Sequence, residues 1–149
     1  MTAEQQLAEF MDRFTPEIAK LARATRVKMR KSVPGAFEVV YDNYNALAIG
    51  YAPSERSSEA IFSLVLYPTR VRVFFLQGAR LPDPDGVLEG KGNQVRSFVV
   101  ESAKDLDRPE VVRLMRVALE SAKVKLDPKI RGKLIIKSIS AKQRPRRPQ

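Results

Sequence analysis

Apolar positions along the chain change period twice, dividing it into helical, extended and again helical stretches. Leu7, Phe10, Met11 and Phe14 recur at i, i+3, i+4 and i+7, which predicts a short helix near the start. Thr15-Pro16-Glu17 has the form of an N-cap followed by proline at the first helical position, so a second helix is expected there. On that helix Ile18, Leu21, Ala22, Thr25 and Met29 share one side, while Lys20, Arg23, Arg26, Arg30 and Lys31 sweep the other. Pro34-Gly35 stops it.

From Ala36 the pattern becomes extended. Segments 37–41 and 46–51 flank Asp42-Asn43-Tyr44-Asn45, a connection rich in turn formers. Pro53 to Ser58 is a polar loop. Segments 61–67 and 70–77 are β-prone and meet at Pro68-Thr69, and 94–100 supplies a fifth strand. Asp107-Arg108-Pro109-Glu110 resembles a helix start, with Asp107 as the capping oxygen, and the helix carries Val111, Leu114, Met115, Ala118 and Ala122 as its apolar stripe. Segment 132–140 reads as a sixth, edge strand or an extended stretch, with Lys133 and Lys137 guarding the edge. Short connections suit antiparallel pairing. Helices bracket the strands instead of alternating with them, which predicts an α+β domain over 1–140, its helices on one face of an antiparallel sheet of five or six strands. Ala141 to Gln149 has no apolar periodicity and is expected to be a disordered basic tail.

Charge sharpens this picture. The chain of 149 residues carries a formal net charge of +10, unevenly spread. Six Lys/Arg and no acid occupy residues 18–31, ten basic groups face one acid in 123–149, and the stretch between holds ten basic against twelve acidic groups. The basic surface is therefore assigned to Lys20, Arg23, Arg26, Arg30 and Lys31, together with Arg144, Arg146 and Arg147. Such a surface suits weak, salt-dependent contact with nucleic acid, or simply faces solvent. The chain has no cysteine and no histidine, so thiolate and imidazole catalysis and the usual zinc ligands are excluded. No apolar run is long enough to span a bilayer, and no basic, then apolar, leader pattern opens the chain; a cytoplasmic, non-membrane protein is expected.

Three constellations carry candidate chemistry. Tyr41, Asn43, Tyr44, Asn45, Tyr51 and Arg56 form the densest set of hydrogen-bonding side chains and could line a small-ligand pocket at one end of the sheet, although the asparagines serve equally as turn formers. Lys91, Asn93 and Arg96, in a glycine-rich reversal, offer an anion cradle without P-loop spacing. Asp83, Asp85 and Glu89 could hold a divalent cation, although the two prolines already explain their loop as a turn.

The run LPDPDGVLEGKGNQVRSFVVESAKDLDRPEVVRLM resembles the bacterial domain-of-unknown-function family 1801, the YdhG-like proteins. YDNYNALAIGY, FFLQGARLPDP and GKLIIKSISAKQRPRRP are similar to one subgroup of it, and the likeness runs from about Phe37 onward. The resemblance implies a frataxin-like or YjbR-like α+β fold and a non-enzymatic binding role, with no cofactor and with a small ligand or protein partner undefined. It also brings, as an alternative, the role of intracellular iron chaperone. That role calls for clustered carboxylates, since hard cations prefer oxygen ligands. The N-terminal helices supply Glu4, Glu9, Asp12 and Glu17, which form no single row at i, i+4 spacing.

Overall fold

The computed structural model describes residues 1–149. Its elements are α1 (Ala3–Asp12), α2 (Pro16–Ser32), β1 (Phe37–Asp42), β2 (Leu47–Ala52), β3 (Phe62–Leu66), β4 (Val71–Phe75), β5 (Arg96–Val100), α3 (Pro109–Ser121) and β6 (Leu134–Ile139). Local chemistry sets several boundaries. Thr2 and Gln5 close a capping box on α1, and the Thr15 hydroxyl accepts from the Ile18 amide at 3.3 Å ahead of Pro16. Pro109 does open α3, but Asp107 does not cap it. The cap position is Arg108, without a side-chain bond, because the preceding residues wind into a 3-10 turn with its own capping box from Ser102 and Asp105. Asp107 instead accepts from the Lys28 ammonium at 2.7 Å.

The six strands form one sheet in the order β5-β4-β3-β2-β1-β6. The first five pair antiparallel through short connections. The expectation of a purely antiparallel sheet needs correction: β6 lies parallel to β1, with an irregularity between Val40 and Tyr41. The cause is the route of the chain. Having crossed the sheet through α3, it returns past Gly35 and enters beside the start of β1, so both strands run the same way. Gly35, at φ 86°, and Gly132 permit this close approach; a Cβ on Gly132 would lie 1.9 Å from the Ala36 carbonyl oxygen, and one on Gly35 2.0 Å from that of Asp127.

One sheet face holds Val40, Leu47, Ile49, Tyr51, Phe62, Leu64, Leu66, Val71, Val73, Phe75, Phe98 and Val100. These join a single core with Leu7, Phe10 and Met11 of α1, Ile18, Ala22 and Met29 of α2, and Val111, Leu114, Met115 and Ala118 of α3. Phe62 and Phe75 meet edge to face at 5.1 Å between centroids. All three helices thus cover the same face.

Strand β1 breaks the ordinary pattern of such a core. Alternation in FEVVYD would turn Phe37, Val39 and Tyr41 inward, yet Glu38, Val40 and Asp42 take the helix-covered side. Both acids are almost fully buried, and each is met by arginine. Asp42 accepts from Arg146 Nη2 at 2.9 Å and from Arg13 Nη1 at 3.3 Å.

In the structure the segment 141–149, expected as a disordered tail, lies docked against the body through that ion pair and further hydrogen bonds. The Ser140 and Arg144 amides donate to the carbonyls of Asp42 and Tyr44, the Gln143 amide to the Asp42 carbonyl, and Arg147 to the Asp12 and Arg13 carbonyls at the end of α1. Arg146, assigned to the basic surface from sequence, is buried over the Phe14 ring. Composition conceals this docking because guanidinium, glutamine and backbone hydrogen bonds, not an apolar stripe, hold the segment.

Arg146→Ala strands a buried carboxylate and should cost about 3 kcal/mol, read from urea unfolding; pairing Arg146→Met with Asp42→Leu should recover most of it. An Arg146→Ala protein as stable as the parent would show that the docked segment contributes nothing.

Candidate functional site

The sequence-predicted pocket does not assemble. Tyr41 and Tyr51 lie on opposite faces of the sheet: Tyr41 pairs across from Ala48, whereas Tyr51 pairs across from Glu38. The Tyr41 hydroxyl is buried without a partner. Asn43 and Asn45 are exposed in the turn, Arg56 is exposed in the loop after β2, and Tyr44, 46% exposed, carries the Arg144 guanidinium over its ring at 5.5 Å. Alternation along the strands is what separates the two tyrosines Tyr41 and Tyr51.

Of the expected anion cradle, Arg96 is turned back onto its own loop. Arg96 donates to the carbonyls of Lys91, Gly92 and Val95, so the loop turns acceptors, not amides, toward the cation. Lys91 and Asn93 face solvent. The third constellation is equally spent. Asp83 accepts from the Val87 and Leu88 amides, Asp85 pairs with Arg113, and Glu89 with Arg72. No His, Cys, Asp or Glu side chains gather in threes to hold a metal ion.

On α2 the basic face divides. Arg23 pairs with Asp12 at 2.6 Å, Lys28 with Asp107, and Arg26 with both Glu4 and Glu38, while Lys20 and Lys31 remain exposed without an acidic partner. Arg26 is the centre of this group. Its Nε and Nη2 donate to Glu38 at 2.9 Å each, and Nη1 and Nη2 donate to Glu4 at 3.0 and 2.8 Å. Burial works against its charge, but hydrogen bonds from it to Glu38 and Glu4, and their charges, prevail and raise its pKa above the ordinary guanidinium value. The Glu4 carboxyl is held below its usual 4.5, chiefly by its bond to Arg26. Its contribution to stability is therefore full above that pH and is lost on further acidification.

Glu38 also accepts from the Tyr51 hydroxyl at 2.9 Å, and Arg30 approaches it at 3.5 Å. Complete burial, then the Glu38 charge and this hydrogen bond, push the Tyr51 phenol well above its ordinary 10.0. A cavity of about 230 Å³ opens onto this pair. Its wall combines Arg30 from the last turn of α2, the Gly35-Ala36 turn, and the segment from Ile130 to Leu134 that leads into β6. Arg131 and Lys133 line it without an acidic partner, and Glu38 is its sole acid. Sequence reasoning found Arg30 and Tyr51 but neither Glu38 nor Arg131, because the lining comes from four separate stretches. One signal was present: six cations in 18–31 with no acid among them require carboxylates from elsewhere.

No family model, curated protein or solved structure matches the chain. No helix is long and apolar enough to cross a membrane.

Tyr51 contributes stability that is full below pH 10.0 and declines as the pH rises beyond it, since the unfolded phenol ionises first. Tyr51→Phe should flatten this alkaline decline in urea midpoints while costing about 1–2 kcal/mol near neutrality, where Glu38 loses a donor. An unchanged alkaline limb would contradict the buried pairing.

Proposed function

We propose that the protein is a non-catalytic binding domain of the YdhG-like type, and that its ligand is a small anion held between the end of α2 and the entry to β6. The sequence likeness supports the family reading, and an α+β architecture with a six-stranded mixed sheet is compatible with it. The observation that carries the ligand reading is the charge of the cavity. Arg30, Arg131 and Lys133 line it, and the one acid, Glu38, is already engaged by Arg26, Tyr51 and Arg30, so Arg131 and Lys133 have no acidic partner. A carboxylate or phosphate would supply the missing countercharge through charge-assisted hydrogen bonds. Binding in this arrangement is recognition by fixed cations. The residues provide no nucleophile with an adjacent base.

The iron-delivery alternative draws no comparable support, since Glu4 and Asp12 are engaged by arginines and no acid cluster forms.

Titrating inorganic phosphate or citrate into isotope-labelled protein should shift amide resonances saturably in residues 30–36 and 130–134. Arg131→Gln with Lys133→Gln should weaken binding at least about tenfold, the loss of one charge-assisted bond or more. Shifts scattered over the surface, or affinity unaltered in the double variant, would reject the site. Turnover in a broad substrate screen would reject its non-catalytic character.

A further inference from the structure

A second feature of charge shares Arg131 and Lys133 with that cavity but extends well beyond it. Strand β6 is one edge of the sheet, and the segment that follows it is pinned across the β1–β2 turn by Arg146. Along this continuous edge Lys129, Arg131, Lys133, Lys137, Lys142 and Arg144 are all exposed. None of them pairs with an acid. Lys137 reaches only the Glu55 carbonyl, and Arg144 lies over the exposed Tyr44 ring. The single acid of residues 123–149, Asp127, accepts from the Lys129 amide.

We infer that this edge binds the phosphate backbone of a nucleic-acid strand without reading its bases. Three considerations lead there. Protecting an edge from pairing with another sheet needs one or two lysines on the strand itself. The row continues past the strand onto Lys142 and Arg144, where no edge is left to protect. The segment bearing them is held in place by a buried ion pair, so these cations are presented in fixed positions instead of trailing from a flexible end. Finally, Tyr44 beside Arg144 offers an exposed aromatic surface next to the cations, the combination on which single-stranded nucleic acid stacks. The arginines of α2, in contrast, are largely consumed by Glu4, Asp12 and Glu38. Arg131 and Lys133 also line the small-anion cavity, but Lys129, Lys137, Lys142 and Arg144 do not, and the inference is tested on the last three of these.

The test is fluorescence anisotropy of a labelled single-stranded oligonucleotide with the full chain, repeated across salt concentrations. If all six cations engage phosphates, log Kobs should fall against log salt with a slope of about −4. The triple variant Lys137→Gln, Lys142→Gln, Arg144→Gln should bring that slope to about −2 and weaken binding at least about tenfold at low salt. A control triple of equal charge change on other surfaces, Arg80→Gln, Lys91→Gln and Lys104→Gln, should leave the slope unaltered. No binding by the parent at low salt, an unaltered slope in the edge triple, or equal losses in both triples would overturn the inference. So would competition by polyglutamate as effective as competition by unlabelled oligonucleotide, which would point to acidic proteins. Phosphate binding at the cavity should survive in the edge triple, so failure of either reading is visible separately.

Discussion

Two carboxylates on one strand have to be kept charged inside a hydrophobic core, and much of the molecule is arranged around that requirement. Glu38 and Asp42 lie on the helix-covered side of β1, at its two ends, with the fully buried Val40 between them. An isolated ion there would cost several kcal/mol, so each needs a cation with several hydrogen bonds in fixed geometry. Arginine meets that need better than lysine, since its planar fork satisfies a carboxylate through two parallel bonds. Arg26 does so for Glu38. For Asp42 the cation comes from the far end of the chain, Arg146, with Arg13 in support. The acids therefore tie α2 and the C-terminal segment to the same strand from opposite ends.

This constraint leads directly to the surface chemistry. Because Glu38 is shared among Arg26, Tyr51 and Arg30, it leaves Arg131 and Lys133 beside the neighbouring cavity without an acidic partner, and the cavity keeps an excess of positive charge. Because Arg146 is spent on Asp42, the segment around it lies along the edge instead of trailing, and its remaining cations extend the row begun on β6. The packing of Gly35 and Gly132 against backbone carbonyls completes the wall between the two. A side chain at either glycine would force the β6 entry away from β1, opening the cavity and displacing the edge together.

Residues that act locally made much of the fold legible. The Thr15-Pro16 cap, the stripe from Val111 to Ala118 and the strand segments around Asp42–Asn45 and Pro68-Thr69 are set by neighbours in sequence, and they stand where local periodicity places them. What escaped depends on partners far away. Asp107 resembles a cap until Ser102 and Asp105 build a competing turn. The parallel placement of β6 is decided by the close approach of 127–132 to Gly35-Ala36, which no periodicity encodes. For the site, Tyr51 and Arg30 were singled out, but grouping tyrosines by sequence proximity put residues from opposite sheet faces into one pocket. Glu38 was invisible because alternation alone assigns a glutamate between Phe37 and Val39 to solvent. Only its distant arginine makes burial affordable.

A double-mutant cycle between Arg26 and Glu38 tests this most directly, with Arg26→Met, Glu38→Gln and the double variant compared by urea unfolding. A buried, mutually dependent pair predicts a coupling of about 2 kcal/mol or more, the double variant being far more stable than the two single losses together imply. Additivity within about 0.5 kcal/mol would mean that the two side chains do not depend on each other, and that the strand's buried acids are not what the helix and the C-terminal segment are organised to satisfy.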